Sequence, residues 1–159
     1  MAHDESSVPA EIRAGLRRTA PFFLSHHLPD EYHRCHTLSI RGRTVRLCAR
    51  CSGIYPGIVL GMAAALWGLW RPWHALAILA FPAPALVQWA LVTFGDRRGR
   101  NATRTVTGLL LGVGYGLGVV TFLGDPFAPV PLVAAIGYGG LAGVLLYLER
   151  ARSATVAGE

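Results

Sequence analysis

Residues 48–62 read CARCSGIYPGIVLGM, and they decide the fold because a polar cysteine motif passes directly into an apolar helix here. Cys48 and Cys51 form a Cys-x-x-Cys pair, which is the usual half of a tetrahedral zinc site. From Gly53 to the end of the stretch there is no charged residue. We therefore expect a small ligand-bearing head to end at this point and a membrane helix to begin.

The rest of the chain has the composition of an integral membrane protein. Of its 159 residues, 52% are hydrophobic and only 15% are charged. Four apolar runs reach the length of about 18 residues that crosses a hydrocarbon core. They cover about 53–70, 75–94, 105–124 and 131–149. None carries a charged residue before its final positions, so none has the polar face that a water-soluble helix needs. The predicted fold class is an all-α membrane protein with four transmembrane helices.

The arginines predict how these helices are oriented. Most of them lie before the first span, in the loop between the second and third spans, or at the end of the fourth span. Short cytoplasmic loops keep positive charge, so both termini should face the cytoplasm of the cell membrane. The chain then divides into a cytoplasmic head at 1–52, a membrane domain at 53–149 and a cytoplasmic tail at 150–159. This topology and anionic lipid headgroups explain the net charge of +6, and nucleic acid is not an expected partner.

Two local patterns indicate structure within the head. In residues 9–28, apolar side chains recur at helical spacing opposite charged ones, which is typical of an interfacial helix on anionic headgroups. A partly ordered tail is the alternative. In residues 38–47, apolar and polar side chains alternate on either side of Gly42, which favours a β-hairpin. Such a hairpin would bring the residues before its first strand close to those after its second.

Four side chains of ligand type would meet at the base of this hairpin, and they are Cys35, His36, Cys48 and Cys51. His33 is the alternative fourth ligand, because adjacent residues of an extended chain point to opposite sides and His33 would share a face with Cys35. Sulfur and nitrogen ligands favour zinc, with iron as the alternative ion. A redox-active dithiol and plain buried thiols are the other interpretations of these cysteines.

The same residues resemble the signature of a family of small prokaryotic predicted membrane proteins of unknown function. That family carries a Cys-His pair and then a Cys-Ala-Arg-Cys-x-Gly-x-Tyr-x-Gly run, as at 35–36 and 48–57 here. Its second pattern, Asn-x-x-Arg-x-x-Thr-Gly, matches 101–108, and the resemblance covers about 33–118. The family often has Asp-Gly after a proline in the second span where this chain has Gln88-Trp89, so a role for that carboxylate does not carry over. The resemblance implies a fold and a site but no reaction.

Glycines at every fourth position predict which helices pack together. In span one they are Gly53, Gly57 and Gly61, and in span three they are Gly108, Gly112 and Gly116; Gly139 and Gly143 follow in span four. Such small faces let helix backbones approach closely in a membrane. If spans one and three meet on these faces, Arg50 lies near Asn101 and Arg104.

This group of polar residues is the predicted anion site. Arginines beside helix N-termini suit a phosphate or an anionic lipid headgroup. Gln88, a polar group deep in span two, is the fourth candidate beside Arg50, Asn101 and Arg104, and interhelical hydrogen bonding is its alternative role. Ordinary anchoring at the cytoplasmic surface is the alternative role of the arginines.

The function expected from these features is binding rather than catalysis. The sequence has no Gly-x-Ser-x-Gly elbow, phosphate-binding loop or His-Glu-x-x-His helix, and no catalytic residue is predicted. We expect a zinc-binding multi-pass membrane protein that binds an anionic lipid or phosphate ligand. A thiol-disulfide oxidoreductase using Cys48 and Cys51, with Cys35 as the exchanging thiol, is the alternative. A structural subunit, assembled with its own copies or with another membrane protein through the glycine faces, is a second alternative.

Overall fold

A computed structural model describes Ile12 and residues 29–40, 42–69, 71–95 and 99–157. The chain forms two compact units, Met1–Ala49 and Arg50–Glu159. Apart from Ile12, the predicted interfacial helix at 9–28 lies outside the described residues.

The first unit contains a two-stranded hairpin. A 3₁₀ helix at Pro29–Arg34 leads into β1, Cys35–Ile40, which pairs antiparallel with β2, Arg43–Cys48. Gly42 lies in the connection between the strands with a φ of 75°, a left-handed conformation that is strained for residues with a Cβ. The predicted hairpin and its glycine turn are confirmed.

Side chains join the 3₁₀ helix to the hairpin. The Arg46 guanidinium in β2 lies 4.0 Å from the centre of the Tyr32 ring, in a cation–π contact. Within the 3₁₀ helix Arg34 forms an ion pair with Glu31 at 2.8 Å. The Ala49 backbone N–H donates to the Arg34 carbonyl at 3.1 Å and so extends the strand ladder by one rung. These contacts supplement a two-stranded sheet that would be marginal alone.

Five α-helices form the described part of the second unit. They are α1 (Cys51–Leu66), α2 (His74–Ala80), α3 (Ala83–Phe94), α4 (Asn101–Gly124) and α5 (Pro129–Ala157), with a 3₁₀ turn at Arg71–Trp73 before α2. The α5 helix continues through most of the segment predicted as the carboxyl-terminal tail.

Three helical stretches among the described residues are long and apolar enough to cross a membrane: Arg71–Phe94, Asn101–Gly124 and Pro129–Ala154. The fourth apolar helix, α1, has 16 residues and falls below that length. At 1.5 Å per residue it is about 24 Å long, against a hydrocarbon core of about 30 Å. The prediction of four spans is thus confirmed for three, because the helix expected at 53–70 ends at Leu66. It ends where Gly68 adopts a φ of 68° and the Leu69 N–H donates to the Ala64 carbonyl.

The second predicted span is interrupted between α2 and α3. Pro82 and Pro84 have no backbone N–H, so the carbonyls of the preceding turn lose their usual helical donors. The Tyr138 hydroxyl of α5 donates a hydrogen bond to the Leu79 carbonyl, which lies in the same turn between the carbonyls of Ile78 and Ala80 that face the two prolines. The two prolines account for the interruption, and α5 helps to satisfy the exposed backbone.

The tightest helix contact joins α1 and α4, and it confirms the predicted meeting of two glycine faces. Contacts advance along both helices in the same direction, from Arg50 beside Gly108 to Ile58 beside Gly116, so the helices are parallel. A Cβ at any of the six glycines of these faces would overlap a backbone carbonyl of the other helix. Parallel packing places the amino-terminal ends of α1 and α4 together.

The remaining helices pack less closely. A small core of α1, α2 and α4 side chains surrounds Leu117, which is fully buried, and includes Ile78 and Val113. The long helix α5 exposes most of its apolar side chains, among them Ile136 at 75%. No described residue comes within 4 Å of a Cβ placed at Gly139 or Gly143, so within the described part of the chain these glycines form no helix contact like that of α1 with α4. Apolar side chains on the outer surface are what a lipid environment requires.

Candidate anion-binding site

The first part of the candidate site is a contact between α1 and α3. Arg50 immediately precedes α1, and its Nη2 donates a hydrogen bond to Oε1 of Gln88 in the middle of α3. With Oε1 facing the guanidinium, the Gln88 amide presents Nε2 on its other side. This donor is buried and has no hydrogen-bond partner among the described residues. A buried donor without an acceptor is costly, so an incoming oxygen would be stabilised here.

The second part lies in the first turn of α4. Arg104 is only 6% exposed, and its Nη1 donates to the Asn101 side-chain oxygen at 3.1 Å. The Thr105 hydroxyl donates to the Asn101 backbone carbonyl at 3.1 Å and lies 3.5 Å from the Ser52 hydroxyl of α1. These bonds hold the Arg104 guanidinium in place and cross-link the two helix starts.

Gly99 connects the two parts. A Cβ at Gly99 would lie 2.8 Å from Gln88 Nε2 and 3.3 Å from Arg104 Nη2, so both nitrogens border the same small residue. Nitrogen donors from α3 and α4 therefore converge beside Gly99, while Arg50 approaches Gln88 from α1. Two guanidinium groups and the positive ends of two helices produce a local field that favours an anion.

A cavity adjoins the Arg50 side of this group. Its volume is about 340 Å³, and Arg50 is the charged side chain among its described lining residues. The other walls are mainly apolar and come from α3, α4 and α5, with Trp89, Leu111 and Tyr138 among them. Its volume is within the range of small-molecule sites, and the cavity is open on one side.

The four residues predicted for the anion site are thus placed as two hydrogen-bonded pairs, Arg50 with Gln88 and Asn101 with Arg104. Gly99, Ser52 and Thr105 also contribute and were not predicted. Ser52 lies two residues after Arg50, and Thr105 directly follows Arg104. This closeness in sequence is only a weak signal for a shared site. For Gly99 no signal distinguishes it from an ordinary loop glycine.

The cysteines present a different arrangement from the predicted one. Cys35 pairs with Cys48 across the hairpin, and both are buried, at 5% and 6% exposure. The next pair outward, Arg34 with Ala49, is joined by a backbone hydrogen bond. Because hydrogen-bonded and non-hydrogen-bonded pairs alternate along an antiparallel ladder, the two cysteines form a non-hydrogen-bonded pair. At such positions the Cα atoms lie about 4.5 Å apart and the side chains share one face. The two thiols are therefore neighbours across the ladder.

The other predicted ligands are placed differently. His36 pairs with Leu47 and so lies on the opposite face of the hairpin from Cys35, while His33 lies in the 3₁₀ helix and Cys51 begins α1. Among the described residues, which include all three cysteines, no group of three or more His, Cys, Asp or Glu side chains is arranged to hold a metal ion. None of the three cysteines is in a disulfide. The described residues therefore show two of the predicted ligands, the Cys35 and Cys48 thiols, on one face of the hairpin, and the four-ligand zinc centre stays a prediction.

Comparison with known families matches residues 32–117 to a family described as "Predicted membrane protein (DUF2085)". The match includes the hairpin, α1 to α3 and most of α4. Comparisons with curated proteins and with solved structures gave no match.

Proposed function

Because this chain belongs to the DUF2085 family of predicted membrane proteins, we propose that it is a multi-pass membrane protein that binds an anionic ligand where α1 and α4 begin. The ligand class is a phosphate ester, either free or as a lipid headgroup. The observation that carries the proposal is the convergence of Arg50, Gln88 and Arg104 at one end of the bundle. Anchoring at a membrane surface would not require Arg104 to be buried at 6% exposure.

The proposed topology has four crossings, with both termini and the anion site on the cytoplasmic side. The parallel packing of α1 on α4 supports it, since the first and third crossings of such a protein run in the same direction. Arginine enrichment beside both helix starts also supports it. The short α1 would span with local thinning of the bilayer or with its flanking residues reaching the interface. Cysteine accessibility labelling from either side of sealed vesicles tests the orientation.

Binding of a phosphate ester tests the proposed function. Purified full-length protein in detergent is titrated with glycerol 3-phosphate by isothermal calorimetry, and the variant Arg50→Gln is compared with Arg150→Gln. Arg150 is exposed near the end of α5 and provides the matched control. A charge-assisted hydrogen bond contributes about 1.5–3 kcal/mol, so Arg50→Gln should weaken binding by about tenfold or more. Equal affinity in the two variants would refute the proposed site.

For the hairpin we propose a zinc ion held by Cys35 and Cys48, with Cys51 and either His36 or His33 as the further ligands expected from the sequence. Two thiols on one face of the hairpin support it, and a bound metal would stabilise this small unit. Elemental analysis of the purified protein decides: about one zinc per chain is expected, and Cys35→Ser should remove it.

The same pair of thiols favours a second candidate function, thiol-disulfide exchange. Closing a disulfide between Cys35 and Cys48 would release two protons and pass two electrons to an oxidised partner such as another disulfide. The cross-strand position favours this pair over Cys48 and Cys51. Peptide mapping after treatment with oxidised glutathione distinguishes the pairs, with Cys51→Ser as the control that should still form the disulfide. If the purified protein contains no metal and forms this disulfide, thiol-disulfide exchange replaces zinc binding as the proposed role of these cysteines.

A further inference from the structure

We propose that the ligand is an amphiphile: a phospholipid with an anionic headgroup at Arg50 and an acyl chain in the open apolar cavities that α4 and α5 line. This inference rests on the proposed anion site and specifies what occupies it. The cavity of about 340 Å³ beside Arg50 is not a polar pocket, because the residues that follow Arg50 along its wall are mainly apolar, such as Leu86 and Leu146. A free phosphate would fill only its charged end.

A second cavity continues in the direction away from Arg50. Its volume is about 510 Å³, its described lining is almost wholly apolar, and it shares Pro82, Leu111 and Tyr138 with the first cavity. Further residues on its wall, such as Phe122 and Leu123, belong to the carboxyl-terminal end of α4. The two cavities therefore follow the bundle from the Arg50 end toward the opposite end of α4, which is the path of an acyl chain that hangs from a headgroup at the membrane surface.

The interruption between α2 and α3 helps to form this path. Pro82 borders both cavities at the point where the helix breaks. The Tyr138 hydroxyl is tied to the Leu79 carbonyl, so the ring is held as a wall common to both cavities. Gly114 and Gly118 of α4 also line the second cavity, and a Cβ at Gly114 would lie 3.1 Å from the Ala77 carbonyl oxygen, so α4 packs closely against α2 here. A polar residue at one end and a continuous apolar lining match the two chemical halves of one lipid molecule.

An unselective lipid contact would accept any headgroup. For this site we expect selectivity instead, because Arg50 and the N-termini of α1 and α4 favour a headgroup with net negative charge over a zwitterionic one. The selectivity therefore depends on Arg50, and the affinity depends on the cavities. These two dependences can be measured separately.

The test uses full-length protein in detergent micelles and three probes: dioctanoyl phosphatidylglycerol, dioctanoyl phosphatidylcholine and glycerol 3-phosphate. Binding is measured by native mass spectrometry and calorimetry. We expect phosphatidylglycerol to bind at least tenfold more tightly than either of the others. Ala142→Leu, which adds side-chain volume in the first cavity, should weaken phosphatidylglycerol binding at least fivefold and leave glycerol 3-phosphate unchanged. Ala154→Leu, at an exposed α5 position that lines neither cavity, is the matched control.

If glycerol 3-phosphate binds as tightly as phosphatidylglycerol and its binding still requires Arg50, the proposed anion site is supported but the inference that its ligand is a phospholipid is wrong. Equal binding of the two phospholipids would also overturn the inference. If no probe binds in a manner that depends on Arg50, the proposed function fails as well.

Discussion

Replacing Gly112 with alanine tests the contact that brings the helix starts together. A Cβ at Gly112 would lie 2.9 Å from the Gly57 Cα and 2.9 Å from the Ile58 backbone nitrogen. Ordinary carbon contacts lie at about 3.5–4.0 Å, so α1 and α4 would have to separate by roughly 1 Å. Backbone atoms cannot move aside by changing a rotamer, and the separation would loosen the glycine contacts above and below.

The magnitude follows from two opposing effects. Overpacking a close contact costs about 1–3 kcal/mol, and the upper end applies because backbone faces backbone. Alanine also favours the helix over glycine by about 1 kcal/mol. The expected net loss is about 2 kcal/mol of the free energy of unfolding, or about a 30-fold change in the unfolding equilibrium.

Equilibrium unfolding in mixed micelles, followed by circular dichroism, measures this loss. Gly137→Ala is the matched control, because it lies in α5 with no described residue within 4 Å of its Cβ position. It should be neutral or stabilised by up to about 1 kcal/mol through helix propensity alone. If Gly112→Ala and Gly137→Ala have the same free energy of unfolding, α1 and α4 do not pack as closely as described.

Three further substitutions test separate parts of the structure. Tyr138→Phe leaves a helix carbonyl without its donor and should cost about 1–3 kcal/mol in the same unfolding assay, whereas Tyr147→Phe, at a 73% exposed position, should cost little. Gly42→Ala should destabilise the hairpin by about 1–2 kcal/mol and raise hydrogen exchange of the strand amides, and unchanged protection would contradict the positive φ. Arg104→Met should cost about 1–3 kcal/mol, since it removes a buried donor from Asn101; an equal effect of Arg100→Met, at an exposed position, would show that burial does not matter.

Local patterns were enough to predict several elements. The hairpin follows from alternation around Gly42, and the interruption of the second span follows from Pro82 and Pro84, because turn chemistry and the missing proline donor act within a few residues. The pairing of α1 with α4 was also predictable, since their glycines repeat at the spacing of one helix face. The end of α1 at Leu66 was not, because the apolar run continues past it and only the conformation at Gly68 stops the helix.

The candidate site was predictable in membership but not in arrangement. Arg50, Asn101 and Arg104 could be grouped because parallel helices with matching glycines bring their starts together. The partner of Arg50 could not, because Gln88 is 38 positions away and its direction depends on how α3 is rotated against α1. The thiols show the same limit: a hairpin was expected, but the register that pairs Cys35 with Cys48 and turns His36 to the other face required the structure.

What the amino-acid sequence alone determined is the class of protein: apolar helices, their glycine faces, a polar hairpin before them and arginines at one end. These properties depend on composition and on periodicity within single elements, which are local. Only the tertiary structure decided that Arg50 bonds Gln88, that Arg104 is buried beside Gly99, and that two apolar cavities meet at Tyr138. Those properties depend on the rotation and spacing of helices against one another, which arise from packing over the whole unit.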